Sequence, residues 1–152
     1  MDKEFFVREI EGCSGMLYRV AFSILRDDDT CADAMQETAL KAWEKRHTLR
    51  DDRYFRTWVT RILINTCRSM RQRRARLISL EEVAEPVSMP PDASLSLALA
   101  ALPEQLRLPL VLSCSEGMSY AEIATTLRIP LATVRGRIHR AKKMLRKELD
   151  AE

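Results

Sequence analysis

Glycine and proline are scarce in this 152-residue sequence, 4 and 6 respectively, and runs of alternating or β-branched residues are few. That scarcity points to helices. No apolar stretch approaches the roughly 20 residues needed to span a bilayer. The opening "MDKEFFVREI" is charged from its second residue and does not read as a secretory leader, so a cytoplasmic protein without membrane insertion is expected. The four cysteines, Cys13, Cys31, Cys67 and Cys114, form no C-x-x-C pair. The two histidines, His47 and His139, are not spaced with them as ligands. A zinc site or disulfide framework is therefore unsupported, and the cysteines read as small apolar residues in reduced surroundings. G-x-x-x-x-G-K, G-x-S-x-G and H-E-x-x-H are all missing. The expectation is a protein with no catalytic residue, no metal and no cofactor.

What the sequence has is charge, unevenly placed. Hydrophobic residues make up 46% and charged ones 31%, the balance of a soluble globular chain. Residues 1–76 hold 16 Lys/Arg against 12 Asp/Glu, and residues 104–152 hold 9 against 6. Between them, residues 77–103 hold 4 acidic residues and no Lys or Arg. Two basic halves thus flank an acidic connector. Its core, "LISLEEVAEPVSMPPDAS" over 77–94, has three prolines and no sustained periodicity, which reads as a flexible linker. Fully extended it spans on the order of 60 Å.

Helical periodicity fills both halves. Phe6, Ile10, Met16, Leu17, Val20, Ala21 and Ile24 share one spacing, with a break expected near Gly12–Gly15. "DDDT" precedes a second helix, 31–46, with apolar positions at Ala34, Met35, Ala39, Ala42 and Trp43. After a loop, "RHTLRDDRY", a long helix carries Phe55, Trp58, Val59, Ile62, Thr66 and Met70 to about Arg74. The second half begins with a short run, Leu95 to Leu102, and another helix near 104–115 with Pro109 expected in the first turn of its regular part. Ser119 and Glu122 form a capping box for a helix burying Ile123, Ala124 and Leu127. A short turn then leads to a last helix with Leu131, Val134, Ile138, Ala141 and Leu145 on one stripe. Two helices joined by so short a turn make a helix-turn-helix, whose second helix enters the major groove in DNA-binding versions. The fold class is all-α: an N-terminal helical bundle (1–76), the linker (77–94) and a C-terminal helix-turn-helix domain (95–152).

Three surfaces stand out. On the last helix, Ala132, Gly136, His139, Arg140 and Lys143 lie opposite the buried stripe, with Thr133 and Arg135 on the shoulders. Arg128 to Lys147 contains eight Lys/Arg and no acid, whereas a solvated face usually mixes signs. One sign on that face favours DNA, with Arg135 and Arg140 able to grip guanine at two points. Arg56 to Arg76 holds seven arginines and no acid, and Arg61, Asn65, Arg68 and Gln72 form a strip suited to phosphates and base edges. Tyr54, ahead of that helix, is a candidate to stack on an unpaired base, while Phe55 and Trp58 fall on the core stripe. Finally, Asp33, Gln36 and Glu37 share one face of the second helix. Chemistry alone fits either a solvated face or a protein contact there.

"QETALKAW", then "FRTWVTRILINTCRSMRQRR", then a linker and "LPEQLRLPLVLSCSEGMSYAEIATTLRIPLATVRGRIHRAKKMLRKEL" closely resemble the extracytoplasmic-function (ECF) sigma factors of bacterial RNA polymerase. The resemblance runs through nearly the whole chain, in order. It implies a promoter-specificity subunit serving a dedicated promoter set under envelope or environmental stress. It also implies two binding partners, the polymerase core, through its largest-subunit clamp helices and its flap, and promoter DNA. Members are commonly held inactive by an anti-sigma factor. The family's D-x-x-Q-E pattern, which grips the clamp helices, falls on Asp33, Gln36 and Glu37. Arg53, Tyr54, Arg61, Asn65, Arg68 and Ser69 fall where the family reads and opens the −10 element. Thr133, Arg135, Gly136, His139, Arg140 and Lys143 fall where it reads the −35 element. Ser69 departs from the family's frequent asparagine or aspartate, and Ala132 and Gly136 replace the glycine and serine of its usual G-T-V-[KR]-S-R.

Two other classes compete. A self-standing helix-turn-helix regulator would bind DNA tightly on its own, as a dimer on a palindrome, and gives no role to Asp33, Gln36 and Glu37. A recombinase needs a nucleophile with positioned partners, and no such cluster is visible.

Overall fold

Asp2 opens the first helix by accepting the Phe5 N–H at 2.8 Å, so that one side-chain oxygen satisfies a donor the helix itself cannot. In the computed structural model, which describes residues 1–81 and 93–151, that helix is α1, Lys3–Leu25. It is continuous, and the expected break at Gly12–Gly15 does not occur. Each glycine costs roughly 1 kcal/mol in a helix interior, but Met16, Leu17, Val20, Ala21 and Ile24 beyond them are all buried. At roughly 1.5–3 kcal/mol per large apolar side chain, that burial outweighs the propensity cost.

Asp27 caps α2, Asp28–Glu44, accepting the Thr30 N–H at 2.9 Å and also the Thr30 hydroxyl. The cap starts this helix three residues earlier than its apolar spacing suggests. Two short 3₁₀ turns follow, Arg46–Thr48 and Asp52–Tyr54, in the segment expected as loop. Next comes α3, Phe55–Glu81, which packs against both α1 and α2. Because two helices cover it, its buried arc is wider than one stripe. Phe55, Val59 and Thr66 are buried as expected, but so are Thr60, Leu63, Ile64 and Cys67, while Trp58, Ile62 and Met70 are only half-buried. Thr60 and Thr66 turn their hydroxyls onto the Arg56 and Ile62 carbonyls, at 2.6 and 2.8 Å, so their burial leaves no orphaned donor. Edge-to-face aromatics close one end of this core, with Phe6 5.2 Å from Trp43 and 6.0 Å from Phe55.

The chain divides into two compact units, Met1–Pro86 and Val87–Glu152. Within the segment expected as linker, 77–94, α3 continues through Glu81 and α4 begins at Ala93. "LISLE" contains no glycine or proline to stop α3. The middle of that linker, 82–92, lies outside the described residues.

In the second unit, α4 (Ala93–Ala101) ends at Pro103, and the buried Arg107 donates to the carbonyls of Leu102 at 2.9 Å and Ala100 at 3.4 Å. Pro109 is not in a first turn, as it lies six residues into α5, Glu104–Leu110. Its missing N–H deprives the Gln105 carbonyl of a helical donor. A π turn over Val111–Ser115 follows, closed by Glu116 N–H to the Val111 carbonyl at 3.2 Å. The Ser119–Glu122 capping box forms and starts α6, Tyr120–Leu127. Ile123 and Thr126 are its buried residues, while Ala124 and Leu127 are half-buried. Arg128 takes a left-handed backbone (φ 57°) and Pro130 caps α7, Leu131–Asp150. Val134, Ile138 and Ala141 bury its inner stripe, whereas Leu131 is exposed and Leu145 half-buried at the ends.

Candidate nucleic-acid and protein interfaces

In the first unit, the buried arc of α3 leaves Arg61, Asn65, Arg68, Ser69 and Gln72 on the opposite side, at roughly 100° per residue. Asn65, Ser69 and Gln72 are exposed, and Arg61 and Arg68 are half-buried with side-chain interactions of their own. Immediately ahead of α3, the turn Asp52–Tyr54 presents Arg53 and Tyr54. Tyr54 is 59% exposed, while Phe55 beside it is buried and Trp58 donates its indole N–H to Thr48 Oγ1 at 3.3 Å. Among these aromatics, only Tyr54 has a face free to stack on a base. Arg53 is held by Asp51, Nη2 to Oδ2 at 2.8 Å.

The acidic face of α2 is differently built. Asp33 and Gln36 are exposed. Glu37 is half-buried, with Oε1 3.3 Å from Lys41 Nζ and Oε2 3.5 Å from Arg73 Nη2 on α3. Lys41 Nζ lies 3.4 Å from Thr66 Oγ1, and Arg74 Nη1 3.1 Å from Thr30 Oγ1 with Asp27 at 3.9 Å. A polar seam therefore laces this face to the basic half of α3. The sequence reading missed Leu40, which is 66% exposed one turn beyond Gln36. The helical spacing i, i+3, i+7 from Asp33 would have found it. A bare leucine among acidic and amide side chains suits a protein partner better than DNA.

On α7, Ala132, Arg135, His139, Arg140 and Lys143 are exposed, and Thr133 and Gly136 half-buried. Among the described residues, none of the α7 lysines or arginines has an acidic partner. A side chain added at Gly136 would meet nothing within 4 Å. The helix therefore does not need glycine there for its own packing.

The cysteines sit apart from these surfaces. Cys31 and Cys67 are buried, Cys13 is half-buried and Cys114 exposed. Burial pushes the Cys31 thiol up to about 11, which suppresses its thiolate.

Residues 10–77 match the family model described as Sigma-70 region 2, and residues 92–145 that described as Sigma-70, region 4. The ECF RNA polymerase sigma factor SigE of Mycolicibacterium smegmatis is 32% identical over 145 residues, covering 86% of this chain. The chain spans only 56% of that relative's length. The RNA polymerase sigma-H factor of Pseudomonas aeruginosa is 32% identical over 146 residues, covering 82% of this chain and 76% of its own. Among solved structures, CnrH in complex with the cytosolic domain of CnrY is similar with a TM-score of 0.78 and 31% identity, over 99% of this chain and 91% of CnrH.

Proposed function

The chain belongs to the sigma-70 family, in its extracytoplasmic-function branch, and from that premise we infer that it is a promoter-specificity subunit of bacterial RNA polymerase. It acts as an initiation factor and catalyses nothing itself. The observation that carries this reading is the division of labour between the two units. Region 2 falls on a bundle bearing an acidic face beside a cationic helix, and region 4 on a helix-turn-helix in which, among the described residues, no lysine or arginine of α7 has an acidic partner.

Asp33, Gln36 and Glu37, with Leu40 beside them, are assigned to the clamp helices of the largest subunit, and the second unit to the flap. Arg61, Asn65, Arg68 and Ser69 read the −10 element, and Arg53 and Tyr54 hold a base taken out of the stack. Thr133, Arg135, Gly136, His139, Arg140 and Lys143 read the −35 element. Each unit alone binds DNA weakly, mostly by neutralising phosphates, and this binding falls steeply with salt. Joining both to one polymerase raises their effective concentration and turns two weak contacts into one selective contact. Melting follows because capture of an unstacked base offsets the few kcal/mol of unstacking.

No helix among the described residues is long and apolar enough to cross a membrane, which suits a protein that works beside polymerase in the cytoplasm. An anti-sigma factor is the proposed negative partner, and an envelope or environmental stress the proposed signal. Run-off transcription with core polymerase and fragments of the source genome, with and without this chain, is the direct test. Promoter-dependent transcripts made only in its presence are expected. Their absence on every template would sink the assignment.

A further inference from the structure

The turn ahead of α3 ties a cation assigned to DNA to an anion two residues earlier. Arg53 Nε lies 3.2 Å from both carboxylate oxygens of Asp51, and Nη2 lies 2.8 Å from Oδ2, a forked grip. Asp51 Oδ1 also accepts the Arg53 backbone N–H at 3.0 Å, and the Tyr54 N–H closes onto the Asp51 carbonyl at 3.1 Å. One carboxylate thus shapes the turn and neutralises its guanidinium. The Arg53 side chain is 82% exposed, so burial does not force the pairing. Asp51 caps the turn, and its carboxylate, already on the Arg53 backbone N–H, lies within reach of the guanidinium. Hydrogen bonds from Arg53 hold the Asp51 carboxyl below its ordinary range, and the pair stays ionised at neutral pH. Arg53 Cζ sits 5.9 Å from the Tyr54 ring centroid, so the same fork fixes the charge beside the stacking ring.

We propose that Asp51 is a specificity-determining residue, which withholds the Arg53 charge from arbitrary phosphates at the turn that presents Tyr54. The proposal rests on the −10 assignment of this turn. Phosphate contacts carry no sequence information, so a free Arg53 would strengthen binding to every sequence alike. With Asp51 in place, a strand must displace the carboxylate to take the guanidinium. A base captured on Tyr54 holds the strand there long enough to do so, and a passing strand does not.

The test measures binding of the full chain to labelled single-stranded oligonucleotides of mixed sequence across a salt series. Asp51→Asn removes the charge but keeps a residue that caps turns well. It is expected to bind roughly two- to fivefold tighter, with a log–log salt slope steeper by about 0.7 for one freed cation. Adding Arg53→Gln to Asp51→Asn is expected to return both values to those of the unmodified chain. An unchanged slope in Asp51→Asn overturns the proposal. So does a gain that survives in the double variant, since it would then come from the lost anion and not from Arg53. A holoenzyme run-off with Arg53→Gln tests the underlying assignment separately. Full transcription with the binding gain intact would remove Arg53 from −10 recognition and so overturn the specificity role of Asp51, even though its carboxylate withholds a charge.

Discussion

Two cationic helices serve two units of this molecule, and their charges are kept in opposite ways. On α3 and the turn before it, Arg53, Arg73 and Arg74 are each tied to an acid, namely Asp51, Glu37 and Asp27. On α7, no lysine or arginine among the described residues has such a partner. The difference fits the work proposed for each unit. A unit that meets both a protein and a melted strand needs side chains held in place, and ion pairs within a helical bundle do that at little energetic gain. A unit that docks on duplex needs field, and unpaired cations supply it.

The largest effect that separates the units is on stability. Leu63 is fully buried in α3, and Leu63→Ala is expected to cost about 2–5 kcal/mol. Amide exchange should then accelerate throughout α1–α3 and stay unchanged in α5–α7. Equal acceleration in both units would show that they unfold as one and would break the comparison.

Next in size is the readout on α7. Arg140→Ala should cost about 1–3 kcal/mol and relax selectivity at one position of a randomised −35 library, whereas Lys143→Ala should weaken all sequences equally and flatten the salt slope by about one. Two uniform losses would mean that α7 supplies field without reading bases. Smaller still is the acid response. Thr30 hydrogen bonds hold the Asp27 carboxyl below its ordinary value. A carboxyl with a lowered folded pKa contributes stability above its unfolded value near 3.9, and that contribution is lost as pH falls through the folded value. The first unit should therefore weaken on acidification below about pH 4, and Asp27→Ala, which costs about 1 kcal/mol as a lost cap, should blunt that response.

Much of this was legible in sequence because it depends on local chemistry. The Ser119–Glu122 box, the inner stripe of α7 and the exposed Tyr54 all follow from spacing and neighbours within a few residues. The errors came where tertiary packing overrode local preference. Gly12 and Gly15 do not break α1, because the residues after them gain more by burial than the glycines cost. Leu63 and Cys67 were missed because a helix covered by two others buries more than one stripe. The Asp51–Arg53 fork and the seam from Glu37 to Arg73 depend on side-chain conformations that residue spacing does not specify. The exposure of Leu40, by contrast, follows from helical spacing alone.

Gly136 carries the smallest effect, and it bears most directly on what α7 is for. Its position is helical, its φ is not in the left-handed region, and a Cβ there would meet nothing within 4 Å. Gly136→Ala should therefore stabilise the second unit by about 0.4–1 kcal/mol, since the helix gives up backbone freedom at that residue for no packing return. Ala132 lies one turn before and Arg140 one turn after on the same outward face. A strip with at most one carbon of side chain lets the helix backbone approach a groove floor more closely, with Arg140 flanking the gap. If that approach is used, Gly136→Ser should raise the melting temperature and change −35 preference in the same variant. A stabilised variant with unchanged preference on a randomised library would show that the glycine is tolerated on α7 and takes no part in reading DNA.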